Sequence, residues 1–209
     1  MTEERKIRLR IVSEADAPRL LEIYRPYVEQ TAVTFEYTVP DPAEFASRIR
    51  RTLEQYPYLA AEREGRMVGY AYAGRLHPRA AYDWSAESSI YVAWEARRDG
   101  VGRRLYQALE EILKAQNVRN LYACIASPRE ENDPYLTMDS QRFHARLGYR
   151  KVGEFSQCAY KFGRWYDMVW MGKELGPHEE RQPDFRPFPE IRKEIGRCLH
   201  LEQTGGAKI

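Results

Sequence analysis

Apolar and polar positions alternate near the start of the chain, with Ile7, Leu9 and Ile11 set against Arg8 and Arg10. A period of two marks a strand with one buried face. Ser13 and Asp16 then resemble a helix start, and Ala17, Leu20, Leu21, Tyr24 and Val28 recur at helical spacing. Asp41-Pro42-Ala43-Glu44 is a stronger start: a capping aspartate, a proline in the first turn and a glutamate to close the box. Phe45, Ile49 and Leu53 supply that helix's apolar face. Glu64-Gly65 separates two β-rich runs, residues 58–63 and 67–75, and predicts a hairpin. Residues 77–84 read as a loop and 87–93 as a strand. Val101, Leu105, Ala108, Leu109 and Ile112 line one face of a long helix that starts near Gly100. Residues 121–126 form another strand and 127–137 a polar loop. A short helix over 140–147 stops at Gly148. Residues 149–174, broken by Lys161-Phe162-Gly163, predict a closing hairpin. The order β-α-α-β-β-β-α-β-α-β-β is that of an α/β fold with a mixed sheet.

After Leu175 the composition changes. Gly176-Pro177, Pro183, Pro187 and Pro189 punctuate a charged segment in which Ile191, Ile195, Cys198 and Leu199 predict one short docked helix. The expected division is therefore a domain over 1–175 and a tail over 176–209, frayed at Thr204-Gly205-Gly206.

Charge changes the picture little: 33 basic against 31 acidic residues leave a net +2. That balance gives no whole-protein drive toward nucleic acid or an anionic membrane. No run approaches the ~18 apolar residues of a membrane span, and Met1–Lys6 is polar, without a signal-peptide core. Cys124, Cys158 and Cys198 form no metal-ligand spacing, so no metal is expected. A reduced, cytoplasmic setting is the expectation.

The most informative segment is Tyr91-Val92-Ala93 followed by Arg97-Arg98-Asp99-Gly100-Val101-Gly102 and a helix. Free N–H groups at a helix N-terminus bind phosphate, and glycine lets the backbone approach an anion without a Cβ in the way. Arg97, Arg98, Arg103 and Arg104 add positive charge around the turn. A Rossmann pattern requires glycine where Leu105 stands, and a Walker loop requires a GK[ST] ending that is missing. The bland alternative is a helix start with glycines for tight packing and solvated arginines.

Arg97-x-x-Gly100-x-Gly102 after a strand resembles the pyrophosphate-binding motif of GNAT acetyltransferases. Further segments resemble the phosphinothricin acetyltransferase-like branch: Tyr70-Ala71-Tyr72-Ala73-Gly74, Tyr82 to Ser88 leading into Tyr91-Val92, His144 to Tyr149, and Tyr160 to Asp167. Together they span roughly residues 6 to 174. The resemblance implies the GNAT fold, a mostly antiparallel sheet flanked by helices and splayed, at a bulge, where acetyl-CoA binds. It also implies acetyl transfer to a small amino-acid-like amine, and a homodimer.

That reaction sets requirements. An alkylamine has a pKa near ~10 and must lose a proton, so a general base is needed. The developing oxyanion needs donors and the departing thiolate a nearby acid. By resemblance, Tyr91, Val92, Ala93, Arg97, Arg98, Asp99, Gly100, Val101, Gly102 and Arg103, with Ser140, hold the co-substrate, and the Val92 N–H is the expected oxyanion donor. Glu87 is the candidate base. It lies about 13 Å along the strand from Tyr91, which favours a water relay; the alternative is a carboxylate that only binds the substrate ammonium. His144 is the candidate acid toward the sulfur or a relay for the amine proton, against a histidine that merely packs and hydrogen-bonds. Phe35, flanked by Thr34 and Glu36, is expected on the acceptor side with Tyr72, Arg75, Tyr82, Asp83 and Trp84; Arg75 or Arg79 would pair with an acceptor carboxylate.

Two departures stand out. Thr137 occupies a slot where many members carry asparagine, and residues 128–138 look longer than in phosphinothricin enzymes. The resemblance therefore does not name phosphinothricin as the acceptor, whose identity stays open. The alternatives are a protein or peptide N-acetyltransferase and a non-catalytic acyl-CoA sensor. The sensor would need no base, and Glu87 and His144 argue against it. Phe185-Arg186-Pro187-Phe188-Pro189 is a candidate contact with a second subunit.

Overall fold

The computed structural model describes residues 7–199 and Leu201. The Met1–Lys6 stretch and the Thr204-Gly205-Gly206 end lie outside the described residues. Seven strands form one sheet in the order β1-β2-β3-β4-β5-β7-β6: β1 (Arg8–Ile11), β2 (Tyr58–Arg63), β3 (Arg66–Arg75), β4 (Ser85–Val92), β5 (Asn120–Ser127), β6 (Arg150–Lys161) and β7 (Arg164–Glu174). Neighbours are antiparallel except β4 and β5, which are parallel and joined through helix α3 (Val101–Ala115).

Helices α1 (Ala17–Gln30) and α2 (Pro42–Leu53) cover one face, where Tyr24 packs edge-on to Tyr91 and Phe45 edge-on to Tyr70. Helix α3 covers the other face: a Cβ on Gly69 of β3 would meet Val101 at 3.1 Å. Both predicted caps form. The Ser13 N–H donates to the Asp16 carboxylate (2.7 Å), and the Asp41 side chain accepts the Glu44 N–H (2.8 Å). Each satisfies a donor that a helix start leaves free. The loop over 77–84 contains a single 3₁₀ turn, Ala80–Tyr82.

The sheet divides in the middle. β4 and β5 pair only at Ser85–Asn120, Ala86–Leu121 and Glu87–Tyr122, although both strands run on to Val92 and Ser127. β4 stays in regular register with β3 as far as Val92, and β5 stays with β7 along its whole length. The fork therefore opens because β4–β5 pairing stops. The bulge that the resemblance implies is not in β4; the register shifts fall between β2 and β3 and between β6 and β7.

The segment after β7 folds back on its own chain. Phe188 opens helix α5 (Phe188–Cys198), is buried, and donates its N–H to the Gln55 carbonyl; Phe185 packs on Tyr56. Ile191 and Ile195 are buried in the main core. The expected contact of residues 185–189 with a second subunit is thus replaced by an intramolecular one: these aromatics fill a groove at the ends of α2 and α3, where the buried Gln116 side chain bonds both Gln55 and Arg186 carbonyls.

Candidate active site

Ala93 donates to Val68 across the β3–β4 pair. Antiparallel residues alternate in the direction of their backbone groups, so Glu87, Ser89 and Tyr91 bond β3, while Ser88, Ile90 and Val92 turn their N–H and C=O toward the fork. At its far end, Val92 is not free. Its N–H donates to the Tyr27 hydroxyl (3.1 Å), which in turn donates to the Val92 carbonyl (2.6 Å). This corrects the choice of Val92 as oxyanion donor, because a helix tyrosine that strand periodicity cannot reveal already occupies it. Ile90 is the residue whose backbone faces the unpaired stretch.

At the end of β4 the chain makes the predicted turn. Gly100 adopts φ +80°, and a Cβ there would meet nothing within 4 Å. Glycine removes the left-handed strain at this point, and the space before the helix is open. No side chain caps α3, so the N–H groups of Val101, Gly102 and Arg103 are unoccupied by a cap. Gly102 serves differently: its Cβ would meet the Phe143 ring at 3.1 Å. The two glycines thus differ: Gly102 packs against α4, and Gly100 leaves the space before the helix open. Arg97 lies over Tyr27 and Trp94, 5.0 Å from each ring. Asp99 pairs with Arg63 (2.9 Å), and Arg98 lies 3.6 Å from Asp139. Arg103 is exposed.

Helix α4 (Asp139–Arg146) brings Ser140 and His144 to the fork. A narrow cleft of about 60 Å³ is lined by Ser88, Ser89, Ile90, Tyr91, Tyr106, Ser140 and His144, with Cys124 among the β5 residues opposite. His144 is buried. Its Nδ1 lies 2.7 Å from the Ser140 carbonyl and its Nε2 2.8 Å from the Tyr106 hydroxyl. A carbonyl only accepts, so Nδ1 carries the proton and Nε2 accepts from Tyr106. The Tyr106 oxygen lies 3.1 Å from Ser88 Oγ, at the mouth of the fork. Burial pushes the imidazole pKa down, against an opposing pull from Ser140, and pushes the Tyr106 pKa up. His144 is thus a neutral ring with both nitrogens engaged. It does not present a free proton to the fork, which corrects its expected role as direct acid; Tyr106, which the sequence reading missed, stands between.

Glu87 sits half-buried on the α1–α2 side of β4. Among the described residues its carboxylate has no ion pair, and burial raises its pKa above the usual carboxylate range. It lines neither the cleft nor the larger cavity of about 250 Å³ beside it, which is bounded by Tyr24, Thr34, Glu36, Phe45, Arg48, Tyr58, Tyr72 and Tyr91 among others. Of the expected acceptor residues, Tyr72 lines that cavity. Phe35 packs into a small second core with Ala32, Ala126, Leu136 and Tyr166. Arg75 is tied to Asp83 (3.2 Å) and Gln55 (3.2 Å). Trp84 Nε1 donates to the Pro183 carbonyl (2.7 Å), and Tyr82 is exposed beside His77. Arg75, Tyr82, Asp83 and Trp84 therefore fasten the loop before β4 rather than lining either space.

The wall beside the fork is held by contacts between distant segments. Lys161 is buried, and its ammonium donates to the carbonyls of Val28, Thr31 and Thr34 (2.8–2.9 Å). Tyr135 stacks on Phe162 and its carbonyl accepts the Ala32 N–H; Asp133 meets Tyr166 and Arg164. Residues 31–36, 128–138 and 161–166 are thereby pinned to one another.

Comparison with known proteins agrees with this geometry. The family model described as Acetyltransferase (GNAT) domain matches residues 9–170. The chain belongs to the GNAT acetyltransferase family. It is 36% identical to a phosphinothricin N-acetyltransferase of Streptomyces viridochromogenes, over 90% of this chain and 98% of that protein. It is 33% identical to an L-methionine sulfoximine/L-methionine sulfone acetyltransferase of Pseudomonas aeruginosa, over 81% and 95%. The crystal structure of a GNAT superfamily phosphinothricin acetyltransferase from Sinorhizobium meliloti, in complex with acetyl-CoA, superposes with a TM-score of 0.76 at 33% identity, covering 88% of this chain and 96% of that one.

Proposed function

We propose that this GNAT protein transfers the acetyl group of acetyl-CoA to the amine of a small, amino-acid-like acceptor. The observation that carries the proposal is the fork itself: strands that part beside an uncapped helix start, with an open glycine turn at one end and a half-buried glutamate without an ion pair among the described residues at the other. Uncapped N–H groups and the dipole of α3 suit a pyrophosphate, and Tyr91, Ala93, Arg97, Arg98 and Val101 to Arg103 surround it. Ser140 and the Ile90 backbone suit the arm that runs through the cleft.

Acetyl-CoA supplies a thioester carbonyl at which a C–N bond forms as the C–S bond breaks, giving an amide and a free thiol. Glu87 takes the ammonium's proton through water. Its raised pKa places it nearer the operating pH than an exposed carboxylate, which helps a base. The Ile90 N–H faces the point where the carbonyl oxygen gains charge. Tyr106, kept neutral by burial, donates its proton to His144, and Ser88 donates to the Tyr122 carbonyl; these hydroxyls shape the cleft, and the departing thiolate takes its proton from water.

The relatives named for phosphinothricin and methionine sulfoximine support a free amino acid or analogue over a peptide or a sensor role. We infer a cytoplasmic homodimer; no helix among the described residues is long and apolar enough to cross a membrane. Support for the dimer comes from the edge strand β6, where Val152 and Phe155 stand exposed, and from the exposed ring pair Tyr160 and Trp165 at its hairpin end. The test is thiol release from acetyl-CoA across amino acids, methionine sulfoximine, phosphinothricin, polyamines and short peptides, with wild type and Glu87→Gln. An accepted amino acid whose turnover falls about 10²–10⁴-fold in the variant supports the proposal. Turnover of peptides alone, or an unchanged rate in Glu87→Gln, refutes it.

A further inference from the structure

The larger cavity has a chemistry of its own. Six of its ten lining residues are aromatic: Tyr24, Phe45, Tyr58, Tyr70, Tyr72 and Tyr91. They touch as one wall: Tyr58 stacks on Tyr72 (4.7 Å between centroids), and Tyr24 meets Tyr91 edge-on (4.8 Å). Tyr91 also lines the cleft in the fork, so the two spaces adjoin.

Two polar atoms on this lining are buried without a partner: Glu36 Oε2 and the Tyr70 hydroxyl. Glu36 uses its other oxygen on Arg48 (2.6 Å). Both nearby cations are already committed. Arg48 divides its guanidinium between Glu36 and Glu44, and Lys161 spends its protons on three main-chain carbonyls. A buried carboxylate oxygen left unbonded is costly, and aromatic faces attract cations. Glu36 Oε2 lacks a donor, and a positively charged donor gains from both features.

We infer that this cavity is the subsite for the acceptor's side chain, that it takes an amino acid ending in an ammonium or similar cationic donor, and that Glu36 selects it. The inference rests on the acetyltransferase reading, since it places the reacting amine in the fork and the second nitrogen beside Glu36. Arg75, tied to Asp83, takes no part.

L-Ornithine and L-norvaline test it, because they differ only in the terminal ammonium. Calorimetric binding and kcat/KM are measured for both, with wild type, Glu36→Gln and Tyr58→Phe, and acetyl-CoA binding is measured alongside. Wild type is expected to favour ornithine about tenfold or more, the gain of one charge-assisted hydrogen bond. Glu36→Gln should bring the two acceptors level while acetyl-CoA binding stays within about twofold. Tyr58→Phe keeps the ring and should keep the preference, which separates selection by the carboxylate from damage to the wall. Equal use of both acceptors by wild type, binding of neither, or a Glu36→Gln variant that keeps the preference overturns the inference. If acetyl-CoA still binds in those cases, the subsite has failed and the cofactor reading stands; if acetyl-CoA does not bind, the acetyltransferase reading fails too.

Discussion

The turn at Gly100 and the wall around Lys161 do their work in opposite ways. The turn is local. Tyr91 to Arg103 is one continuous stretch, and its open helix start follows from a left-handed glycine and the absence of a capping side chain. The wall is assembled from residues 31–36, 128–138 and 161–166, joined by a buried ammonium, a stacked ring pair and an ion pair. A site that recognises a constant group can be written in one segment, whereas a site that recognises a variable acceptor is built where loops meet. Mutations should therefore separate the two.

The largest expected effect is at the turn. In Gly100→Glu the new carboxylate faces the pyrophosphate, a repulsion of about 4 kcal/mol at an effective dielectric near 20, so acetyl-CoA affinity should fall by a hundredfold or more. The side chain meets nothing within 4 Å but stands at a left-handed φ of +80°, a strain of about 1–2 kcal/mol, so circular dichroism should show a retained fold with a modestly lowered Tm. A retained affinity would remove the turn from the cofactor site.

Lys161→Met should do the reverse. Val28, Thr31 and Thr34 lose their donor, and unsatisfied buried carbonyls should lower stability by about 2–4 kcal/mol. Acceptor KM should rise while acetyl-CoA affinity holds, as titration of each ligand would show. Gly102→Ala sharpens the boundary between the regions. Its Cβ presses on Phe143 of α4 at 3.1 Å, which should cost about 1 kcal/mol by overpacking. Chemical denaturation would measure it.

The smallest effect is a pH dependence. The folded pKa of His144 lies below the ordinary 6.5 because the ring is buried. Its neutral form then holds full stability above about 6.5, and stability is lost as pH falls from there through the lowered value. Tm measured between pH 7 and 5 should decline for wild type and decline less for His144→Asn.

The same contrast explains what the sequence disclosed. Hydrophobic periodicity and caps gave the order of elements, since Asp41 and Ser13 act through neighbours three residues away. The arginine-glycine turn was readable for the same reason. Tyr27 on Val92, Tyr106 on His144 and Lys161 on the α1 carbonyls were not, because each joins residues 38 to 133 apart in the chain. Arg75, Trp84 and residues 185–189 were placed at the acceptor or at a partner for the same cause: an exposed-looking aromatic or arginine gives no local sign that its partner lies in a distant segment of its own chain.

The central claim is that the fork joins the two sites in one acetyl transfer. Its most direct test is the stoichiometry of the products: wild type is incubated with acetyl-CoA and an accepted amino acid, free thiol is assayed, and N-acetylated amine is counted by mass spectrometry. Equal amounts of thiol and acetylated amine, formed at the same rate, are the predicted result. Thiol released without acetylated amine, or acetyl-CoA left intact whatever the acceptor, would contradict it.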